Sequence, residues 1–170
     1  MDLKPYIRDI PDFPTKGIMF KDICPLLQDR VAFPYVINEL ADRLKDRKPD
    51  VVVGIESRGF IFGSALAFKM KTAFVPVRKV GKLPHEVIRE HYSLEYGDNI
   101  VEMHRDAISA GQRVLLVDDL LATGGTMAAA VNLVKRLGGE VVGIAFLVEL
   151  TFLNGRKALA GQEVVSLIQY

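Results

Sequence analysis

The chain has 170 residues, a length that suits one domain with a core large enough to fold without disulfide or metal crosslinks. With 22 basic and 21 acidic side chains, the formal net charge is +1, so no general field favours nucleic acid or an anionic membrane surface. The single cysteine, Cys24, excludes an intrachain disulfide and a multi-cysteine metal site, and we expect it to be a small buried hydrophobe.

The N-terminal segment and the hydropathy of the chain indicate a cytoplasmic protein. Residues 1–14 contain prolines and acids and lack the apolar region of a signal peptide. Every apolar stretch is too short or too charged to span a bilayer. We therefore expect no membrane contact.

The predicted elements alternate between helices and strands in chain order. Apolar residues at four-residue spacing, Val36, Leu40 and Leu44, predict a helix over 31–47. The alternation predicts an α/β domain over 1–170, with a mainly parallel central sheet flanked by helices. The remaining predictions are strands at 50–55, 73–77, 113–119, 140–150 and 164–170, and helices at 60–70 and 127–137, with Pro76 at a strand edge or end.

Residues 79–100 are a long polar stretch without a clear period until a possible hairpin. Such a segment between buried strands is typical of a functional lid. His85 and His91 within it are six residues apart rather than four, so a helix would not place both on one zinc ion. We expect both histidines to be exposed.

Residues 114–126, VLLVDDLLATGGT, are the most informative segment of the chain. Their first five residues predict a buried parallel strand that ends at Asp118 and Asp119. A turn rich in glycine and threonine then leads into a helix. Unpaired N–H groups at a helix start bind anions, and glycines let a phosphate come close to the backbone. The segment therefore predicts a site for a phosphorylated sugar.

Two other phosphate loops do not fit these residues. A Walker loop needs a lysine after its last glycine, but Thr126 follows Gly125 directly, and G-x-G-x-x-G occurs nowhere in the chain. A purely structural strand-to-helix turn would explain the glycines. It would not explain two adjacent acids at the end of a strand, where α/β sheets place their ligands.

This segment resembles the phosphoribosyl-pyrophosphate signature of the type I phosphoribosyltransferases. Segments 13–27, 54–67, 78–84 and 92–97 further resemble the members of that family that use adenine. The resemblance implies the type I phosphoribosyltransferase fold, with a hood at about 1–30 and a lid at about 79–100. It also implies a homodimer that joins adenine to phosphoribosyl pyrophosphate with Mg²⁺, giving AMP and pyrophosphate.

The resemblance further assigns a role to each matching residue. Mg²⁺ would be held mainly by substrate oxygens, without a dedicated protein site. The residues that would bind the 5′-phosphate are Ala122, Thr123, Gly124, Gly125 and Thr126. Asp118 and Asp119 would bind the ribose hydroxyls. The residues that would bind pyrophosphate are Glu56, Ser57, Arg58, Arg78, Lys79 and Lys82. The residues that would bind adenine are Met19, Phe20, Lys21 and Leu120. The residues with a catalytic role would be Glu95, Asp118, Asp119 and Arg58. Glu95 would exchange a proton with adenine N7.

The chain departs from the family pattern at Lys21, where many relatives carry arginine. The change is of little consequence if the backbone contacts the base, and it alters base affinity if the side chain does. Two alternative functions stay open at this point. One is the same reaction on hypoxanthine, guanine or xanthine, and the other is a non-catalytic regulator that binds phosphoribosyl pyrophosphate.

Overall fold

A mostly parallel sheet with helices on both faces organises the protein. The computed structural model describes residues 1–94 and 97–170, so Glu95, the predicted proton-exchange residue, lies outside the described residues. The strands are β1 (Arg8–Ile10), β2 (Phe20–Asp22), β3 (Val51–Ile55), β4 (Ala73–Lys79), β5 (Val87–Leu94), β6 (Gly97–His104), β7 (Arg113–Leu121), β8 (Glu140–Glu149) and β9 (Val164–Gln169). The α-helices are α1 (Cys24–Gln28), α2 (Ala32–Leu44), α3 (Gly59–Met70) and α4 (Gly125–Arg136).

The main sheet has the strand order β5-β6-β4-β3-β7-β8-β9. Strands β3, β4, β7, β8 and β9 are parallel, whereas β5 and β6 form an antiparallel hairpin that joins the sheet at β4. Strands β1 and β2 pair separately as a small antiparallel ribbon. The predicted α/β architecture with a mainly parallel sheet is therefore confirmed.

Apolar side chains cover both faces of the sheet. Successive residues of β7 alternate between two clusters, with Leu115 packing in the cluster that contains α2 and α3, and Leu116 in the cluster that contains α4. This double burial accounts for the unbroken apolar runs of the central strands. Within the part of the chain that the structure describes, no helix has both the length and the apolar character needed to cross a membrane.

The helix predicted over 31–47 is α2, followed by a short 3₁₀ turn at Lys45–Arg47. The central strand, by contrast, does not end at the two acids. Strand β7 continues to Leu121 because its ladder with β8 extends to the pair Leu121 and Glu149. Its ladder with β3 stops at Val117, so the acids lie where the strand loses one of its two neighbours.

Pro76 belongs to an interior strand of the sheet, in contrast to the predicted edge or end. Strand β4 lies between β3 and β6, but the ladder with β6 includes only Arg78 and Lys79. At Pro76 the strand pairs on one side with Gly54 of β3, and the missing N–H is therefore tolerated.

Cys24 is exposed, and the expectation of a buried residue is wrong. The cysteine begins α1, and the neighbouring positions Ile23 and Leu26 face the core instead. A five-residue helix can bury only one stripe, and its first residue falls outside that stripe.

The polar stretch at 79–100 contains the possible hairpin as an ordered element. Strands β5 and β6 pair from Val87 with His104 to Leu94 with Gly97. Arg136 of α4 donates hydrogen bonds to the Arg89 carbonyl and to the Glu90 carboxylate, at 2.6 and 2.9 Å. The base of the hairpin is therefore held against the helix that follows the glycine turn.

We predict that Gly54→Ala lowers the free energy of unfolding by about 1–3 kcal/mol through overpacking. A methyl group on Gly54 would lie 2.7 Å from the Phe74 ring and 3.2 Å from the Gly59 carbonyl oxygen. Urea unfolding measures the change. Gly143→Ala is the matched control, since a methyl group there meets its neighbours at ordinary distances of 3.4 and 3.5 Å. Equal stability of the two variants would contradict the prediction.

Candidate active site

A cleft of about 490 Å³ opens at the carboxyl ends of β3, β4 and β7. Open α/β sheets place their ligands at this end. Tyr92 and Asn99 of the hairpin line its opposite side. The predicted site residues that line the cleft are Glu56, Ser57, Arg58, Arg78, Lys79, Asp118, Asp119, Leu120, Ala122 and Thr126.

A smaller pocket of about 70 Å³ shares four lining residues with this cleft, namely Asp118, Leu120, Ala122 and Thr126. The remaining residues of the glycine turn, Thr123, Gly124 and Gly125, line this pocket. Lys82 is exposed and lines neither space. Met19, Phe20 and Lys21 lie at the ribbon of β1 and β2, outside the lining of both.

The glycine turn presents an uncapped helix N-terminus. Gly124 has φ +85°, a left-handed conformation that favours glycine, and it precedes the first residue of α4. A side chain at Gly124 would collide with the carbonyl oxygen of Gly155, so the turn packs directly on a second backbone segment. Among the residues that the structure describes, no side chain caps α4, and its first N–H groups are available to an anion.

Asp118 and Asp119 form an acidic pair beside this turn, in which Asp119 is buried and Asp118 is half-buried at the wall of the cleft. Burial raises the pKa of Asp118 well above its usual value, and the neighbouring Asp119 carboxylate raises it further. Burial also raises the pKa of Asp119, although the Arg58 guanidinium opposes that shift. Asp118 Oδ1 accepts the backbone N–H of Asp119 at 2.8 Å. Gly59 permits this arrangement, since a methyl group there would lie 2.8 Å from Asp118 Oδ1.

Arg58 is the cation nearest to the acid pair. Its Nε lies 2.9 Å from Asp119 Oδ2, yet the N–H direction misses this oxygen, which accepts no hydrogen bond from any described residue. The guanidinium carbon also lies 5.0 Å from the centre of the Phe20 ring. Arg58 thus connects the acid pair to the ribbon, and a buried carboxylate oxygen is left to accept from a ligand hydroxyl.

The loop after β3 holds Arg78 in place through Glu56. Arg78 Nε and one terminal nitrogen donate to the Glu56 carboxylate at 3.1 and 3.2 Å, and the Lys79 N–H donates to it at 3.0 Å. Burial favours a raised pKa for Glu56, but Arg78 and the Lys79 N–H outweigh it and hold the pKa below its usual value. The Glu56–Ser57 peptide is cis.

Sequence reasoning missed two side chains that line the cleft, Tyr92 and Asn99, and a third, Glu102, that holds the turn after β4. The Tyr92 hydroxyl accepts a hydrogen bond from Thr126 Oγ1 at 3.1 Å, and Asn99 is directly opposite Tyr92 in the hairpin register. Buried Glu102 accepts the N–H groups of Lys82 and Leu83 at 3.1 and 3.2 Å. Tyr92 was visible within the resembling segment 92–97, but only the register of the hairpin brings Asn99 and Glu102 to this place.

We predict that Asp118→Asn raises the free energy of unfolding of the unliganded protein at pH 8 by about 0.5–2 kcal/mol, because residues that serve a binding site often lower the stability of the fold. The folded protein holds the Asp118 proton more tightly than the unfolded chain, so ionisation costs stability as the pH rises through the raised pKa. The advantage of the variant should shrink as the pH falls towards about 4. Urea unfolding at several pH values measures it, with exposed Asp46→Asn as the control. An advantage that grows at low pH would refute the assignment.

Comparisons with known proteins agree on one family. The profile of the phosphoribosyl transferase domain matches residues 29–163. The adenine phosphoribosyltransferase of Thermotoga neapolitana is 57% identical over 170 residues, which is all of both chains. The crystal structure of adenine phosphoribosyltransferase from Thermoanaerobacter pseudethanolicus is 55% identical, covers 99% of this chain and 98% of its own, and superposes with a TM-score of 0.97. The adenine phosphoribosyltransferase of Saccharomyces cerevisiae, complexed with an imino-altritol bisphosphate and adenine, is 40% identical with a TM-score of 0.90, covering 96% and 95% of the two chains. This chain belongs to the phosphoribosyltransferase family and, within it, to the adenine phosphoribosyltransferases.

Proposed function

We propose that the protein transfers the 5-phosphoribosyl group of phosphoribosyl pyrophosphate to adenine, giving AMP and pyrophosphate. The observation that carries the proposal is one cleft that combines an uncapped helix N-terminus, a buried acid pair and the cations of two neighbouring strand ends. The yeast relative that shares the fold forms a complex with adenine and a bisphosphate. A purine salvage reaction accounts for all of these features together.

The sugar end of the substrate fits the end of β7. The N–H groups of the turn Ala122–Thr126 would bind the 5′-phosphate, with hydroxyls of Thr123 and Thr126 as further donors. Asp118 and Asp119 would accept hydrogen bonds from the ribose 2′ and 3′ hydroxyls. Support comes from Asp119 Oδ2, which is buried and accepts no hydrogen bond from the described residues. The same carboxylates would stabilise the positive charge that develops on the ribose ring as pyrophosphate departs.

Pyrophosphate would lie against the loop 56–59 and the end of β4. Arg58 would exchange Asp119 for the pyrophosphate oxygens, which frees the acid for the ribose. Arg78 and Lys79 line the same cleft, and Glu56 fixes the direction of Arg78. Lys82 does not line the cleft of its own chain. We therefore propose that Lys82 contacts pyrophosphate in the cleft of the dimer partner.

Mg²⁺ is the cofactor that the family implies. A hard cation that keeps its water and binds substrate oxygens needs few protein ligands. The described residues offer the adjacent carboxylates of Asp118 and Asp119 rather than a cluster of three or more metal-binding side chains. This donor set fits an ion that enters with its substrate. When bound, Mg²⁺ would neutralise charge on the leaving pyrophosphate.

Adenine would bind between Phe20 and Leu120, with backbone groups at Met19 and Lys21 contacting its hydrogen-bonding edge. Leu120 lines the cleft, and Phe20 is linked to it through Arg58. The Lys21 side chain is 9% exposed and directed to Asp9 at 2.7 Å. We therefore favour a backbone contact from Lys21, for which an arginine at the same position would serve equally.

Glu95 is the proposed partner of adenine N7. It follows the last described residue of β5, and the hairpin strands on either side carry Tyr92 and Asn99, which line the cleft. A carboxyl group that reaches the base would act there as a general acid or base. Proton exchange at N7 would help N9 to attack the ribose carbon.

We further propose a single cytoplasmic domain, 1–170, with the ribbon as its hood, that works as a homodimer. The α3 surface supports the dimer, because Phe68 is 89% exposed and Ile61 lies two turns before it at 38%. The absence of cysteine pairs is compatible with a reducing compartment. Sedimentation velocity should give twice the mass of one chain, and a monomer at working concentration would contradict this proposal.

Base competition tests the proposed function. Purified protein with phosphoribosyl pyrophosphate and Mg²⁺ receives adenine, hypoxanthine, guanine and xanthine at equal concentration. We expect AMP as the main product by at least about a hundredfold, since an oxo-purine presents an acceptor where adenine presents a donor. Comparable amounts of another nucleotide would shift the function to a different base, and binding without any product would indicate a regulator.

We predict that Glu95→Gln slows AMP formation by about 10²- to 10⁴-fold, the usual value of general acid–base help. Affinity for phosphoribosyl pyrophosphate should stay nearly unchanged, because the residue acts at the base. Rapid-quench turnover and equilibrium binding measure the two quantities. Glu86→Gln is the control, since Glu86 is an exposed carboxylate that precedes β5. Normal turnover of Glu95→Gln would remove Glu95 from the mechanism.

A further inference from the structure

The ribbon of β1 and β2 needs an anchor to hold Phe20 at the cleft. A two-stranded ribbon is marginal by itself, and this one pairs with no strand of the main sheet. Ile7 and Ile23 are both buried in the core at one end of the ribbon, beyond the pair Arg8 and Asp22, whereas Phe20 lies at the other end. Lys21 lies in the middle pair of the ribbon, between that anchored end and Phe20, and its side chain is almost fully buried.

Lys21 faces away from the base side of the ribbon. Adjacent residues of a strand point to opposite faces, and Phe20 packs against Arg58 and Phe13, each at 5.0 Å. The Lys21 ammonium instead lies 3.6 Å from the centre of the Tyr170 ring and 2.7 Å from Asp9 Oδ1. A buried ammonium requires such partners, because an unpaired charge is costly away from water.

Tyr170 is itself fixed to β8, the strand that pairs with β7 at Leu120. Its N–H donates to the Glu149 carbonyl at 3.0 Å, and its carbonyl accepts the Thr151 N–H at 2.9 Å. Glu149 ends β8, which pairs with β7 through Leu120 and Val148. A continuous chain of contacts thus leads from Phe20 through Lys21 and Tyr170 to Leu120.

We propose that Lys21 and Tyr170 are positioning residues for the base, and that the ammonium on the aromatic ring sets the separation between Phe20 and Leu120. The inference rests on the proposed function, since these two side chains are the proposed faces of the adenine site. The Lys21 side chain touches no substrate in this arrangement. It acts on the base by holding the strand from which Phe20 extends.

The test compares variants that keep or remove the ammonium–ring contact. Lys21→Met keeps the length of the side chain without its charge, and Tyr170→Leu removes the ring. We expect each to raise the adenine KM about tenfold, while the KM for phosphoribosyl pyrophosphate stays within about twofold. Tyr170→Phe keeps the ring face and should preserve the adenine KM. Lys4→Met is the matched control, because Lys4 is an exposed lysine over the same ring at 5.2 Å.

A binding measurement separates this inference from the proposed function. In equilibrium titrations, Lys21→Met should weaken the binding of AMP but not of ribose 5-phosphate, which lacks the base. If wild-type protein forms AMP and Lys21→Met has an unchanged adenine KM, the positioning role fails while the function stands. Parallel changes in both KM values and in the melting temperature, or an equal effect of Lys4→Met, would also overturn the role.

Discussion

The burial of two adjacent carboxylates at the end of the central strand constrains the rest of the site. Asp118 and Asp119 are costly to ionise in this place, and Arg58 is the nearby cation that offsets the cost for Asp119. Gly59 lets α3 approach close enough to Asp118 for the loop after β3 to reach the acids. Both carboxyl groups of the cleft are therefore costly to ionise, and the proposed substrate, with its hydroxyl donors and its metal ion, would lower that cost.

Two separate parts of the chain hold the glycine turn in position, the segment at Gly155 and the hairpin of β5 and β6. Gly155 lies so close to the turn that neither it nor Gly124 has room for a side chain. On the other side, Tyr92 of the hairpin reaches Thr126. The hairpin and the glycine turn thus share a hydrogen bond, which couples β5 to the residues that we propose bind the 5′-phosphate.

Local patterns identified the acid pair, the glycine turn, α2 and the parallel strands, because each depends on residues close together in sequence. Three errors have a common origin in long-range packing. The end of β7 depends on its pairing with β8. Pro76 is tolerated because the ladder between β4 and β6 is short. Cys24 is exposed because other residues of α1 face the core. The strands β6 and β8 and the core that covers Ile23 and Leu26 all lie outside the segments in which these features were predicted.

The sequence by itself determined the fold class and the glycine turn beside two acids, since strand burial and helix-terminus chemistry are readable from consecutive residues. The resemblance of its segments to known sequences indicated the family. Only the tertiary structure decided how Arg58 is shared between Asp119 and Phe20, how Glu56 holds Arg78, and where the Lys21 side chain goes. Each of these contacts joins side chains that are distant along the chain but adjacent in space. A charged side chain takes the partner that leaves the fewest buried charges unpaired, because an unpaired charge is costly away from water.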